Sequence, residues 1–264
     1  MRFFQVNGTA LHVQRDGDVG GTTLVFVNAL GTDLRLWTRL GRYLTDRFAL
    51  VRYDQRGHGL SGIGTPPYSI EALTDDLAGL LDQLDTGPVV VCGLSIGGMV
   101  AMGLAAARPD LVRGLVLMDT APRIATPAIW QERQDTVASG GIEALADAVL
   151  ERWFPADFRT RHPVELEGWR AMLTRTPQAG YIGCCAALAA ADLTAAAGAI
   201  RVPTSCLVGE HDGSTPPEQV RALAAAIPGA RFAVVRDAGH LPCIDQPGAV
   251  AAELLAFLER NGWA

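Results

Sequence analysis

Hydrophobic and polar positions along the chain follow two regimes. In the outer parts, short apolar runs alternate with amphipathic stretches; in the middle, helical spacing stands alone. Phe3 to Asn7 and Leu11 to Arg15 predict a hairpin around Asn7-Gly8-Thr9. Thr23–Asn28, Phe48–Tyr53, Val89–Gly93, Gly114–Met118, Pro203–Val208 and Arg231–Val235 predict six further strands. Amphipathic helices are predicted between them. One carries Leu36, Trp37, Leu40 and Leu44. The next is capped by Ser69 and shows Ile70, Leu73, Leu77, Leu80, Leu81 and Leu84 on one face. A third carries Ile96, Met99, Val100 and Leu104, a fourth spans Pro216 to Ala226, and the last opens at Pro247 and buries Val250, Leu254, Phe257 and Leu258. Most of the strands are apolar on both faces, which requires helices on both sides of the sheet. The predicted class is therefore α/β: a mostly parallel, eight-stranded sheet flanked by helices, with the hairpin as an antiparallel edge.

From 120 to 197 no strand pattern is visible. Helical segments follow one another near Pro127–Ala138, Ile142–Trp153, Val164–Thr174 and Gly180–Ala191, separated by Ser139-Gly140-Gly141 and by prolines. The expected organisation is a core of 1–119 and 198–264 with an inserted helical cap of 120–197 over the strand ends.

Composition narrows the partners. A chain of 264 residues with net charge −6 and no block of like charges points to neither nucleic acid nor membrane. It contains no lysine, so any side-chain grip on an anion falls to arginine or histidine. The five cysteines, Cys92, Cys184, Cys185, Cys206 and Cys243, show no metal spacing and make a poor disulfide framework. Met1 to Val6 has no apolar signal core, and a cytoplasmic monomer or small homo-oligomer is expected. Neither a cofactor motif nor a cluster of metal ligands is visible in the sequence.

One stretch carries chemistry. Val89 to Gly98 reads as a buried strand, a tight turn and a helix, with Ser95 on the turn between Gly93 and Gly97. This Gly-x-Ser-x-Gly pattern, set between strand and helix, is a nucleophile elbow. A serine hydroxyl needs a base, and the base needs a carboxylate. Of the five histidines, His240 lies just past the last strand, where it can turn back over the sheet. His12, His58, His162 and His211 are less well placed, and a loop-stabilising hydrogen bond is the expected role of His58. For the acid, Asp212 follows the preceding strand and Asp119 ends the strand after the elbow helix; Asp212 is preferred, with Asp119 its rival. The oxyanion of an acyl-transfer intermediate would be met by the backbone N–H of Ile96 and of Leu30, with both side chains walling the pocket.

With these residues in view the chain resembles the α/β-hydrolase superfamily, and within it the 3-oxoadipate enol-lactonases. The general likeness rests on Asn28-Ala29-Leu30-Gly31-Thr32-Asp33, Tyr53 to Gly59, Gly93 to Met99, Gly209-Glu210-His211-Asp212 and Gly239-His240-Leu241. The narrower likeness lies in the middle segment: Trp130-x-x-Arg133, Ala148 to Phe154, and Thr176 to Cys185. Ala29 stands where that family often has serine, and since the donor there is backbone, no loss is expected. The resemblance implies a small lactone substrate bearing a free carboxylate, in the β-ketoadipate route of aromatic degradation, and no cofactor. Arg133 is the expected partner of that carboxylate, and Trp130, Trp153 and Tyr181 are expected to wall the pocket. The competing expectations are a carboxylesterase, another lactonase or a C–C hydrolase of the same fold, or a ligand receptor on this scaffold.

Overall fold

A computed structural model describes residues 1–17 and 21–264. The strands are β1 (Arg2–Val6), β2 (Thr9–Gly17), β3 (Thr23–Val27), β4 (Ala49–Tyr53), β5 (Val89–Leu94), β6 (Val112–Met118), β7 (Thr204–Gly209) and β8 (Arg231–Val235). They form one eight-stranded sheet in the order β1-β2-β4-β3-β5-β6-β7-β8. The β1–β2 and β2–β4 pairings are antiparallel, and those from β4 through β8 are parallel. Asn7 and Gly8 both have positive φ, as the two-residue turn of this hairpin requires. β5 is buried at every position, as are β4 and β7, which is why these strands are mostly apolar; the buried Arg52 of β4 is paired with Asp16.

Twelve α-helices are present among the described residues. In the first half they are α1 (Thr38–Gly41), α2 (Ile70–Leu84) and α3 (Ile96–Ala107). Six more lie between β6 and β7: α4 (Pro127–Gly140), α5 (Ala146–Trp153), α6 (Ala156–Arg161), α7 (Pro163–Thr174), α8 (Gln178–Ala190) and α9 (Thr194–Ala199). The last are α10 (Pro217–Ala226), α11 (Pro242–Asp245) and α12 (Pro247–Arg260). Ser69 caps α2 by accepting the N–H of Ala72 at 3.1 Å. No helix is long and apolar enough to cross a membrane among the described residues.

One expected helix is not formed as such. The stretch carrying Leu36, Trp37, Leu40 and Leu44 is a 3-10 turn at Leu34–Trp37, the single turn α1, and tightly wound backbone beyond it. Asp33 caps the 3-10 turn through Arg35 N–H, and Asp54 Oδ1 takes the N–H of Leu34 at 2.7 Å. The four apolar side chains are buried as their spacing required, but packing against β3 and β4, rather than helix continuity, places them.

Candidate active site

β5 delivers Ser95 to the ends of the parallel strands. Ser95 has φ 58° and ψ −121°, outside the helix it precedes. Its N–H donates to Met118 O at 2.9 Å, and its carbonyl accepts from Thr120 Oγ1 at 2.7 Å. Those bonds hold a backbone conformation that L-residues seldom adopt. The flanking glycines are sterically required. A Cβ on Gly93 would strike the backbone of Gly97 and Gly98, and one on Gly97 would strike the backbone of Val27 and Asn28.

β7 and β8 supply the other two groups. His240 Nδ1 and Asp212 Oδ2 are 2.9 Å apart, both residues being buried. Asp212 is further held by the N–H of Ser214 at 2.7 Å, the N–H of Thr215 at 3.2 Å and the Thr215 hydroxyl at 2.6 Å. Burial works to raise the Asp212 carboxyl. The adjacent imidazole and these donors outweigh it and hold the group below the usual carboxylate range. Asp212 therefore stays ionised and fixes His240 with Nδ1–H donating, leaving Nε2 free as a base. Ser95 and His240 line one cavity of about 390 Å³. No hydrogen bond joins them among the described residues; unliganded sites often show this slack before substrate tightens them.

The loop after β3, which carries Leu30, is pinned by polar groups. Asn28 Nδ2 donates to Tyr53 O at 2.8 Å, Asn28 Oδ1 accepts from Trp37 Nε1 at 2.7 Å, and Asn28 O accepts from Gln55 Nε2 at 2.6 Å. Gly31 N–H donates to His58 Nε2 at 3.0 Å. Among the described residues no acceptor meets the N–H of Leu30 or of Ile96. Leu30 lines the cavity, but the Ile96 side chain does not. It is fully buried in the hydrophobic core. The expectation that Ile96 walls the pocket is thus corrected, while its N–H remains available.

The middle segment contributes Trp130, Arg133, Trp153 and Tyr181 to the same cavity, all four of them expected from the sequence. Arg133 lies over the Trp130 ring, 4.8 Å from its centroid. Burial pushes the Tyr181 hydroxyl up to about 12. Arg152 also lines the cavity and was not foreseen; its neighbours Glu151 and Trp153 gave no sign which way it would face. Burial, and then the like charge of Arg133, lower its pKa. Neither arginine has a carboxylate partner among the described residues, although five others between Arg39 and Arg170 pair across or within this segment. The two guanidinium groups that line this cavity are therefore not neutralised by a carboxylate.

Donors of the kind that bind metals gather in two places in space. One is Asp119, Asp212 and His240, where hydrogen bonding already commits Asp212 and His240 to each other. The other, Glu210, His211 and Asp237, is exposed.

Comparisons with known proteins show the family. A family model described as the alpha/beta hydrolase family matches residues 24–253. The chain is 31% identical over 251 residues to 3-oxoadipate enol-lactonase 2 of Acinetobacter baylyi, covering 95% of this chain and 94% of that one. The crystal structure of the enol-lactonase from Burkholderia xenovorans LB400 superposes with a TM-score of 0.95 at 41% identity, covering 98% of this chain and all of that one (100%). A thermophilic esterase from Thermogutta terrifontis, solved with malate bound, superposes with a TM-score of 0.92 at 31% identity, covering 98% of each chain.

Proposed function

The chain belongs to the alpha/beta hydrolase family, and on that premise we propose that it opens the enol-lactone of 3-oxoadipate to 3-oxoadipate by serine catalysis. One observation carries the reading. A cavity lined by Ser95 and by His240, which Asp212 holds, is also lined by two arginines that have no carboxylate partner among the described residues. The enol-lactonases of Acinetobacter baylyi and Burkholderia xenovorans support the choice of substrate, and the malate in the Thermogutta terrifontis esterase is a carboxylate ligand on the same fold.

In this mechanism Ser95 Oγ attacks the lactone carbonyl as His240 Nε2 takes its proton. Asp212 stabilises the imidazolium. The oxyanion is met by the N–H groups of Leu30 and Ile96. Collapse breaks the ring C–O bond and gives an enolate, which takes up the proton held by His240, so that the enolate becomes the ketone and the imidazole is again a base. Such a leaving group is weakly basic, so acid assistance matters less than for an alkyl ester. Water activated by His240 then cleaves the acyl-enzyme, so that one lactone and one water give one 3-oxoadipate and free Ser95. Arg133 and Arg152 bind the carboxylate of the acetate arm, and Trp130, Trp153 and Tyr181 shape the apolar wall. The helices of 120–197 act as a cap on a core of 1–119 and 198–264. The reaction belongs to the β-ketoadipate pathway of aromatic degradation.

The test compares the lactone with a neutral ester of similar size. Arg133→Ala and Arg152→Ala are each expected to raise KM for the lactone about tenfold while leaving KM for p-nitrophenyl acetate within about twofold, because only one substrate has a charge to lose. Equal effects on both substrates contradict the carboxylate site. Turnover of neutral esters alone favours a carboxylesterase, the reading to which the Thermogutta terrifontis relative points.

A further inference from the structure

The mechanism leaves one buried acid without a task. Asp119 follows β6, has φ 46° and is wholly buried. Its N–H donates to Leu207 O at 2.9 Å, and its Oδ1 accepts the N–H of Gly209 at 2.8 Å. Its Oδ2 is buried and meets no donor. One carboxyl oxygen of Asp119, one of Asp212 and a ring nitrogen of His240 all lie within 4.8 Å of one another. The titratable groups facing Asp119 are Asp212 after β7, His240 after β8, and Cys243 and Asp245 on α11; none of these is an arginine. An ionised Asp119 would place a second negative charge beside Asp212, out of water, with one N–H to stabilise it.

We propose that Asp119 is a positioning residue that is neutral in the working protein and donates its carboxyl proton to Asp212, fixing the carboxylate that orients His240. The proton belongs on Asp119 because Asp212 has an imidazole, a hydroxyl and two N–H donors, and Asp119 has one N–H. A carboxylate offers about four acceptor places. The bonds to Ser214, the Thr215 hydroxyl and His240 at 2.6–2.9 Å and the longer one to Thr215 N–H at 3.2 Å occupy all four. The Asp119 hydroxyl is a fifth donor that shares the place of that longest contact, and the orphaned buried oxygen is thereby satisfied. Burial first, and then the charge of Asp212, push the Asp119 carboxyl well above its usual range, in keeping with that assignment.

The inference rests on the reading of Ser95, Asp212 and His240 as the catalytic set, and its test separates the two. Asn keeps a neutral donor at 119, whereas Ala removes it. Asp119→Ala is expected to lower kcat at least tenfold with KM within about twofold, and Asp119→Asn to restore kcat to within about threefold of wild type. Asp119→Asn is also expected to extend activity to higher pH than wild type, since it cannot ionise beside Asp212. A thermal melt gives a readout apart from activity. A buried acid whose folded pKa is raised loses its stabilising contribution as pH rises toward that value, so wild type should lose melting temperature relative to Asp119→Asn as pH rises. Equal loss of kcat in Asn and Ala, or full activity in Ala, overturns the inference. So does an Asp212→Ala protein whose residual activity disappears when Asp119→Asn is added, because Asp119 would then act as an ionised substitute acid. If wild type hydrolyses neither lactone nor ester, it is the hydrolase reading that fails.

Discussion

Burial lowers the pKa of His58 and keeps it neutral, and its two hydrogen bonds assign the tautomer. Nδ1–H donates to Arg56 O at 3.2 Å, and Nε2 accepts Gly31 N–H at 3.0 Å. A single imidazole therefore fixes the backbone one residue from the proposed Leu30 donor. His58→Ala leaves a buried N–H unpaired beside that donor and is expected to lower kcat about tenfold with little change in KM, measured by steady-state kinetics on lactone and ester. Asp245 acts similarly on the opposite flank, its Oδ2 accepting Gly239 N–H at 2.7 Å next to His240. Burial raises its carboxyl to about 7. Its folded pKa lies above the unfolded value of about 4, so its contribution is complete below about 4 and is lost as pH rises through 7. Asp245→Asn should gain melting temperature relative to wild type between pH 5 and pH 8, and a constant difference across that range would refute the assignment. At this scale the sequence revealed residues whose chemistry depends on a local motif, such as Ser95 between two glycines. It also suggested a loop-stabilising bond for His58, but not which loop. Arg152 was illegible because its place on α5 shows in sequence only a charged residue beside a buried tryptophan, and which cavity it lines depends on the packing of several helices.

Among the elements, long periodic segments were legible and short ones were not. α2 and α12 show their buried faces in the spacing of leucines, and both begin where expected, after Ser69 and at Pro247. α6, α9 and α11 have four to six residues each, too few for a period to register, and none was foreseen. The region of Leu36 to Leu44 failed for the opposite reason, since helical spacing was present but capping and tertiary hydrogen bonds divided the segment. The seat of α8 on the core depends on a contact that spacing cannot show. A Cβ on Gly180 would strike the backbone of Gly57, which itself has φ +73°. Gly180→Ala is expected to destabilise the fold by about 1–3 kcal/mol, read as a lowered midpoint in urea, because backbone has no rotamer through which to yield. It should also weaken lactone binding, since Tyr181 follows directly and lines the cavity. An unchanged midpoint would show that α8 shifts freely.

At the scale of the molecule, the parallel sheet brings Ser95, Asp212 and His240 to the loops that follow β5, β7 and β8, and the helices between β6 and β7 bring two arginines to the cavity that Ser95 and His240 line. The order of these residues in the chain and the strand-helix rhythm made the first half of that arrangement legible. The second half depends on how helices pack over the strand ends, for which the sequence offered likeness rather than period. The most direct measurement is turnover of 3-oxoadipate enol-lactone by wild type and by Ser95→Ala, following loss of the enol absorbance and the yield of 3-oxoadipate. Wild type is expected to convert lactone to 3-oxoadipate one for one, and Ser95→Ala to be slower by about a thousandfold or more. Turnover undiminished in Ser95→Ala, or a folded wild type that leaves the lactone intact, would contradict the account.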